Sequence, residues 1–185
     1  MASRQVALLK RRRDIRAHNA VQAPKTVSYG DIDFDIFATL LSFYVRTVNL
    51  LVSQDLDRQT EKLGLSGGTG KIATLLLVGA NPGIRPSVLA HVVRKDRSAM
   101  RKLLDQLESA GLIEQRVCNA ERRARELYLT AKGRALVPRT RSVVRRQDEE
   151  FFAPLEPAQR QQLLALLHKI YVAYLDMVPL QTEEG

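Results

Sequence analysis

From Asp33 onward the apolar positions recur at three- and four-residue spacing: Ile36, Phe37, Leu40, Leu41, Tyr44, Val45, Val48, Leu51 and Val52. Side chains at that spacing share one helix face, so the pattern predicts a long helix. It runs to about Lys62 and stops at Gly64, with Asp31 or Asp33 capping its start by accepting orphan backbone N–H groups. The helix is longer than a small core requires, so part of its apolar face needs a partner. Gly67-Gly68 breaks the pattern. Thr69 to Val78 then reads as a short apolar helix, ended by Gly79 and the Asn81-Pro82-Gly83 turn. A further helix runs from Pro86 to Val93, because a proline in the first turn lacks an N–H that would have no partner anyway.

Arg94-Lys95-Asp96 reads as a turn with Asp96 as N-cap. Arg97 to Ser109 is an amphipathic helix whose apolar face is Met100, Leu103, Leu104 and Leu107. Gly111 ends it in the left-handed conformation, which glycine adopts without Cβ strain. Leu112 to Cys118 and Arg125 to Leu129 are two short strands around a polar, basic loop from Asn119 to Ala124, predicting a β-hairpin. Thr130 caps a helix from Ala131 to Phe152, with Pro138 placed to kink it. The last helix, Pro157 to about Val178, gathers Leu163, Leu166, Leu167, Ile170, Tyr171, Tyr174 and Val178 on one side. Residues 1–27 show no sustained period. They contain Lys10-Arg11-Arg12-Arg13 and read as a flexible basic arm with room for a short helix around Gln5 to Arg16.

Charge sharpens this picture. The 185 residues carry a net charge of +9, unevenly spread. Residues 94–146 hold fifteen basic groups against six acids, whereas residues 147–185 hold two against seven. A basic middle segment on a near-neutral body is the electrostatic footprint of a polyanion binder. No apolar run approaches the roughly 20 residues a membrane span needs. One cysteine, Cys118, excludes an internal disulfide framework and a multi-cysteine zinc site, and the three histidines are far apart. The composition therefore points to a soluble, cytoplasmic protein with no metal and no cofactor.

Two short helices, a tight turn, an amphipathic helix and a basic hairpin make a mainly α fold of the winged helix-turn-helix class. A helix fits the major groove, and its polar face reaches base edges. Opposite the leucines, the Arg97–Ser109 helix offers Arg97, Ser98, Arg101 and Lys102. The hairpin offers Arg122, Arg123 and Arg125 to phosphates or a minor groove. The preceding helix presents Ser87 near the DNA backbone.

The run Asn81-Pro82-Gly83-Ile84, Leu89-Ala90, Asp96-Arg97-Ser98-Ala99-Met100 and Leu107-Glu108-Ser109-Ala110-Gly111-Leu112-Ile113 resembles the MarR (multiple antibiotic resistance regulator) family. The stretches Asn119-Ala120-Glu121-Arg122-Arg123 and Leu127-Tyr128-Leu129-Thr130-Ala131-Lys132-Gly133 strengthen the resemblance, which covers about Asp33 to Val178. It implies that Ser98, Ala99, Arg101 and Lys102 face the groove and that Arg122 and Arg123 are the wing arginines. It implies a homodimer held by the first long helix and the last two, with Ile36, Phe37, Leu40, Leu163, Leu167, Ile170, Tyr171 and Tyr174 in the seam. Its partners would be a palindromic double-stranded DNA operator and a small-molecule effector, aromatic or acidic, that releases a repressor. The effector site would lie between the dimerisation helices and the DNA-reading lobe, with Phe43, Tyr44, Arg46 and His91 as candidate lining. The implied division is a basic arm (1–30), a dimerisation helix (31–66), a winged helix-turn-helix (67–130) and C-terminal dimerisation helices (131–180).

Some residues depart from the family pattern. Glu121 stands for the usual wing aspartate, Ala99 for a common threonine, and Arg85 where a Ser or Thr cap is usual. Gly64, Gly67, Gly68, Gly70 and Lys71 invite a phosphate-loop reading. Leu65 at the first glycine position and Ile72 at the hydroxyl position break that pattern. Cys118 reads as a plain strand cysteine, and His168 among leucines as a seam residue. No Ser/His/Asp set or carboxylate pair has a spacing that demands catalysis. The alternative is a nonspecific nucleic-acid-binding or RNA-associated basic protein without effector control.

Overall fold

The computed structural model describes residues 32–65, 68–117 and 124–175. The described residues fall into two compact units, which divide between Asn49 and Leu50. The arm before residue 32, Asp31, Gly67, Cys118 to Arg123 and Val178 lie outside the described residues.

In the first unit the long helix does not start where its periodicity does. Asp35–Thr39 is a 3₁₀ turn, and Asp33 Oδ1 accepts the Asp35 N–H at 2.9 Å. Leu40 is extended, and α1 (Leu41–Thr60) begins after it. The cause is local: Phe34, Phe37 and Tyr44 collect around Phe43, with ring centroids 5.2–6.1 Å apart. The Tyr44 hydroxyl donates to the Ala38 carbonyl at 3.1 Å. Aromatic packing across the break takes the place of one regular helical face.

The second unit is built around α2 (Thr69–Ala80), whose Ile72, Leu75 and Val78 are buried. Against it pack α3 (Pro86–Val92), α4 (Arg97–Ser109), the hairpin β1 (Ile113–Val117) and β2 (Arg125–Leu129), and α5 (Ala131–Phe151). The last helix, α6, spans Pro157–Leu175. Gly79 does not end α2. It lies inside the helix, where a Cβ would come 3.0 Å from Leu129 Cδ1 and 3.4 Å from Val137 Cγ2. The glycine read as a stop signal is instead a packing residue, and Asn81 is the C-cap. Likewise α5 runs through Pro138.

The two strands pair antiparallel, Ile113 opposite Leu129 and Val117 opposite Arg125. A third segment joins them: Gly83 N–H donates to the Leu127 carbonyl at 2.9 Å, and Leu127 N–H to the Ile84 carbonyl at 3.1 Å. The turn after α2 is thereby stitched to the hairpin. At the other end of the unit, Gln147 donates to Asp55 Oδ2 at 3.0 Å, tying α5 to the C-terminal half of α1. Together these elements form a mainly α winged helix-turn-helix. Among the described residues, no helix is long and apolar enough to cross a membrane.

Candidate nucleic-acid interface

Helix α4 is held at both ends. At its start Asp96 Oδ1 accepts the Ala99 N–H at 2.7 Å and the Ser98 hydroxyl at 2.9 Å. These bonds to Ala99 and then Ser98 hold the Asp96 carboxyl below the usual carboxylate range, with the Lys95 charge assisting. At its end Gly111, at φ 67°, makes a left-handed cap. Gly111 N–H donates to Glu108 at 2.8 Å, and Leu112 N–H donates to Leu107 at 2.9 Å. The Lys132 ammonium adds a bond to the Ala110 carbonyl at 2.8 Å, where a cation suits the negative end of the helix.

With both ends fixed, Met100, Leu103, Leu104 and Leu107 turn inward and are buried. The opposite side forms an open groove lined by Lys71, Ser98, Arg101, Lys102, Asp105, Gln106 and Ser109. Arg97, Ser98, Arg101 and Lys102 are exposed. Ser98 spends its hydroxyl proton on the Asp96 cap, so toward a ligand it keeps only acceptor capacity. Ala99 is half-buried and its N–H is committed to the same cap. The sequence reading missed Asp105, Gln106 and Ser109. Their spacing of seven, eight and eleven residues from Ser98 continues the same helical stripe and would have found them.

The helix before α4 is short. Arg85 occupies the N-cap without a side-chain bond, Pro86 follows, and Leu89 and Ala90 are buried. Ser87 and His91 are half-exposed. The turn to α4 requires Arg94 in the left-handed region at φ 54°, uncommon for a non-glycine residue. On the hairpin, the Arg116 guanidinium lies over the Tyr128 ring, 4.4 Å from its centroid, and is ion-paired with Glu114. The Tyr128 hydroxyl donates to Glu126 at 2.8 Å. These contacts brace the strands that carry the loop. Arg125 is exposed at the loop end of β2, while Arg122 and Arg123 lie outside the described residues.

The residues expected around an effector fall in different units. Phe43 and Tyr44 are half-buried in the aromatic cluster of the first, where Arg46 is exposed, and His91 belongs to the second. The expected seam residues are all exposed: Ile36, Phe37 and Leu40 in the first unit, and Leu163, Leu167, Ile170, Tyr171 and Tyr174 on α6. Tyr171 also donates to the Val92 carbonyl at 3.5 Å within its own chain.

No family model matches the chain. It is 36% identical over 102 residues to the regulatory protein assigned to the hcr operon of Thauera aromatica, covering 55% of this chain and 61% of that protein's length. It is 27% identical over 130 residues to the transcriptional repressor Rv2887 of Mycobacterium tuberculosis, covering 70% of this chain and 92% of that protein. The crystal structure of Rv2887, a MarR family protein in complex with salicylic acid, superposes with a TM-score of 0.58 at 27% identity, over 71% of this chain and 96% of that one. In sequence and in fold the chain is similar to MarR family proteins. The repressor CouR, solved bound to a 23-mer DNA duplex, superposes with a TM-score of 0.70 at 26% identity, over 77% of this chain and 99% of that one. The outward stripe of α4 and the braced hairpin lie in a fold that these proteins share.

Proposed function

We propose that this chain is a cytoplasmic, sequence-specific DNA-binding transcriptional regulator that acts as a homodimer. It represses from a palindromic operator and is released by a small aromatic or acidic effector; it catalyses no reaction. The observation that carries this reading is the two-sidedness of α4, which buries four apolar side chains while six polar ones face solvent along one stripe. Phosphate contacts from Arg122, Arg123, Arg125 and helix ends supply most of the affinity and its salt dependence. Ser98, Arg101, Lys102 and the additional Asp105 and Gln106 read base edges: arginine suits guanine, glutamine adenine and a carboxylate the cytosine amino group.

The uncovered leucines and tyrosines of α6 support self-association, because contiguous exposed apolar surface marks an interaction site. A two-fold pair would set its reading helices about one DNA turn apart. An effector that binds one lobe spacing better than another would shift the population between them. The relatives support the same reading, since CouR is a repressor bound to a duplex and Rv2887 a repressor in complex with salicylic acid.

Enrichment of bound duplexes from a random pool by the full-length chain, followed by footprinting, tests the proposal. Two symmetric protected half-sites are expected. Equal retention of random duplex or of RNA would overturn it in favour of a nonspecific basic protein.

A further inference from the structure

Lys71 stands beside the outward stripe of α4 but comes from another helix. Gly70, in the first turn of α2, explains how. A Cβ there would sit 2.8 Å from Leu103 Cδ1 and 3.4 Å from Lys95 Cε, so α2 approaches α4 as closely as it does because the position lacks a side chain. That approach carries Lys71 to the wall of the groove whose other wall is Ser98, Arg101 and Lys102. Lys95, in the turn before α4, brings its Cε within 3.4 Å of where a Gly70 Cβ would stand. Cations from two separate elements, α2 and α4, thus line one solvent-facing concavity, with Lys95 packed near Gly70 beside it. Asp105 is the one acid in the groove lining, and it stands a turn farther along α4 than Arg101.

We propose that Lys71, supported by Lys95, holds a backbone phosphate of the duplex beside α4. This rests on the reading of α4 as the base-reading helix. A helix lying in the major groove has a phosphate strand along each flank, and a cation meant for that strand must come from outside the base-reading stripe. Lys71 meets that condition, and a lysine ammonium is a compact point charge suited to one phosphate oxygen. The Asp105 carboxylate repels phosphate, so the anion sits at the Lys71–Lys102 end of the groove. Lys71 thereby fixes the depth and tilt of α4 without reading sequence.

The test compares wild type, Lys71→Gln, Lys71→Arg and Lys95→Gln by fluorescence anisotropy from 50 to 300 mM salt. Two probes are used: a duplex enriched by the wild-type chain and its scrambled counterpart. One phosphate contact contributes about 0.9 to the slope of log affinity against log salt, or roughly eightfold in affinity at 0.1 M salt. Lys71→Gln is expected to lose that slope increment, and that factor equally on both probes, while Lys71→Arg retains them and Lys95→Gln loses a smaller share. A thermal midpoint within a degree or two of wild type separates this from unfolding. An unchanged slope in folded Lys71→Gln, with wild type still preferring the enriched duplex, overturns the Lys71 contact and leaves the DNA reading intact. A wild type that binds both probes alike contradicts the base-reading role of α4, yet a reduced slope in Lys71→Gln would still support the phosphate contact. A wild type that binds neither overturns both.

Discussion

The Thr130 hydroxyl donates to the Gly111 carbonyl oxygen at 2.6 Å, across nineteen residues of sequence. The Thr130 hydroxyl oxygen in turn accepts the Gly133 N–H at 3.0 Å, so Thr130 caps α5 while binding the residue that ends α4. A second strap lies alongside, because Thr130 N–H donates to the Leu112 carbonyl at 3.1 Å. The run Leu129-Thr130-Ala131-Lys132-Gly133 is therefore a joint between α4 and α5. Each polar residue in it bonds to the end of α4, since Lys132 reaches Ala110.

Gly133 is the tightest point of that joint. A Cβ built there would overlap the Leu112 carbonyl oxygen, which is backbone and cannot swing aside. Gly133→Ala should therefore destabilise the fold by about 1–3 kcal/mol, the usual cost of forcing extra volume into a filled site. A denaturant melt measures it. A midpoint equal to wild type would mean that α5 can shift away from Leu112 freely.

Thr74 offers the opposite case. It is fully buried in α2, and among the described residues its hydroxyl has no hydrogen-bond partner. Burying an unpaired hydroxyl costs about 1–3 kcal/mol, and valine keeps the shape while removing the polar atom. Thr74→Val should raise the melting midpoint; a lower midpoint would show that the hydroxyl is satisfied in solution.

Asp96 makes the stability of α4 depend on pH. Its carboxyl lies below the ordinary value of 3.8, chiefly because the Ala99 N–H and then the Ser98 hydroxyl bond to the charged form. A depressed folded-state value means the contribution is fully present above the unfolded value and is lost as pH falls through the folded one. The wild type should therefore lose stability relative to Asp96→Asn as pH drops from about 5 to about 2, because asparagine caps without titrating. Parallel acid-unfolding curves for the two proteins would contradict the cap.

Much of this was legible in the sequence because it is governed by neighbours. The Asp96 and Thr130 caps, Pro86 in the first turn and left-handed Gly111 all follow from residues within one helical turn, and all stand where the spacing put them. What escaped needed distant partners. The Ile84–Leu127 pairing joins residues far apart in the chain, and no alternation announces a single-residue bridge. Gly79 carried the same local signal as a helix stop, and only Leu129 and Val137 reveal it as a packing site. The break at Leu40 arose because four aromatic rings outweigh helical periodicity. Asp105 and Gln106 were within reach of the helical period, whereas Lys71 reaches the groove by tertiary packing alone.

The exposed apolar side chains of α6 allow the proposed homodimer to be tested. Leu163, Leu167 and Ile170 are exposed, and each contributes about 1.5–3 kcal/mol if a partner buries it. Leu167→Asp and Ile170→Asp should shift a dimer to monomer in sedimentation at micromolar concentration, with the melting of the second unit little changed. DNA affinity should fall with dimerisation, since a two-fold site needs both copies. A wild type that sediments as a monomer throughout would remove the homodimer from the proposal.

Arg101 and the wing arginines should separate by the kind of loss they cause. Arg101 is exposed on the outward stripe, where its guanidinium can meet the two acceptors of guanine. Arg101→Ala should cost about 1–3 kcal/mol on the preferred duplex and far less on a scrambled one, relaxing preference at particular bases. Arg122→Ala with Arg123→Ala should instead weaken both duplexes alike and flatten the salt dependence by roughly the two phosphates released. Competition titrations with the two duplexes at several salt concentrations read both effects at once. If Arg101→Ala weakens both duplexes equally, the arginine serves the backbone, and base selection passes to Lys102, Asp105 and Gln106, whose own substitutions should then change which bases are preferred.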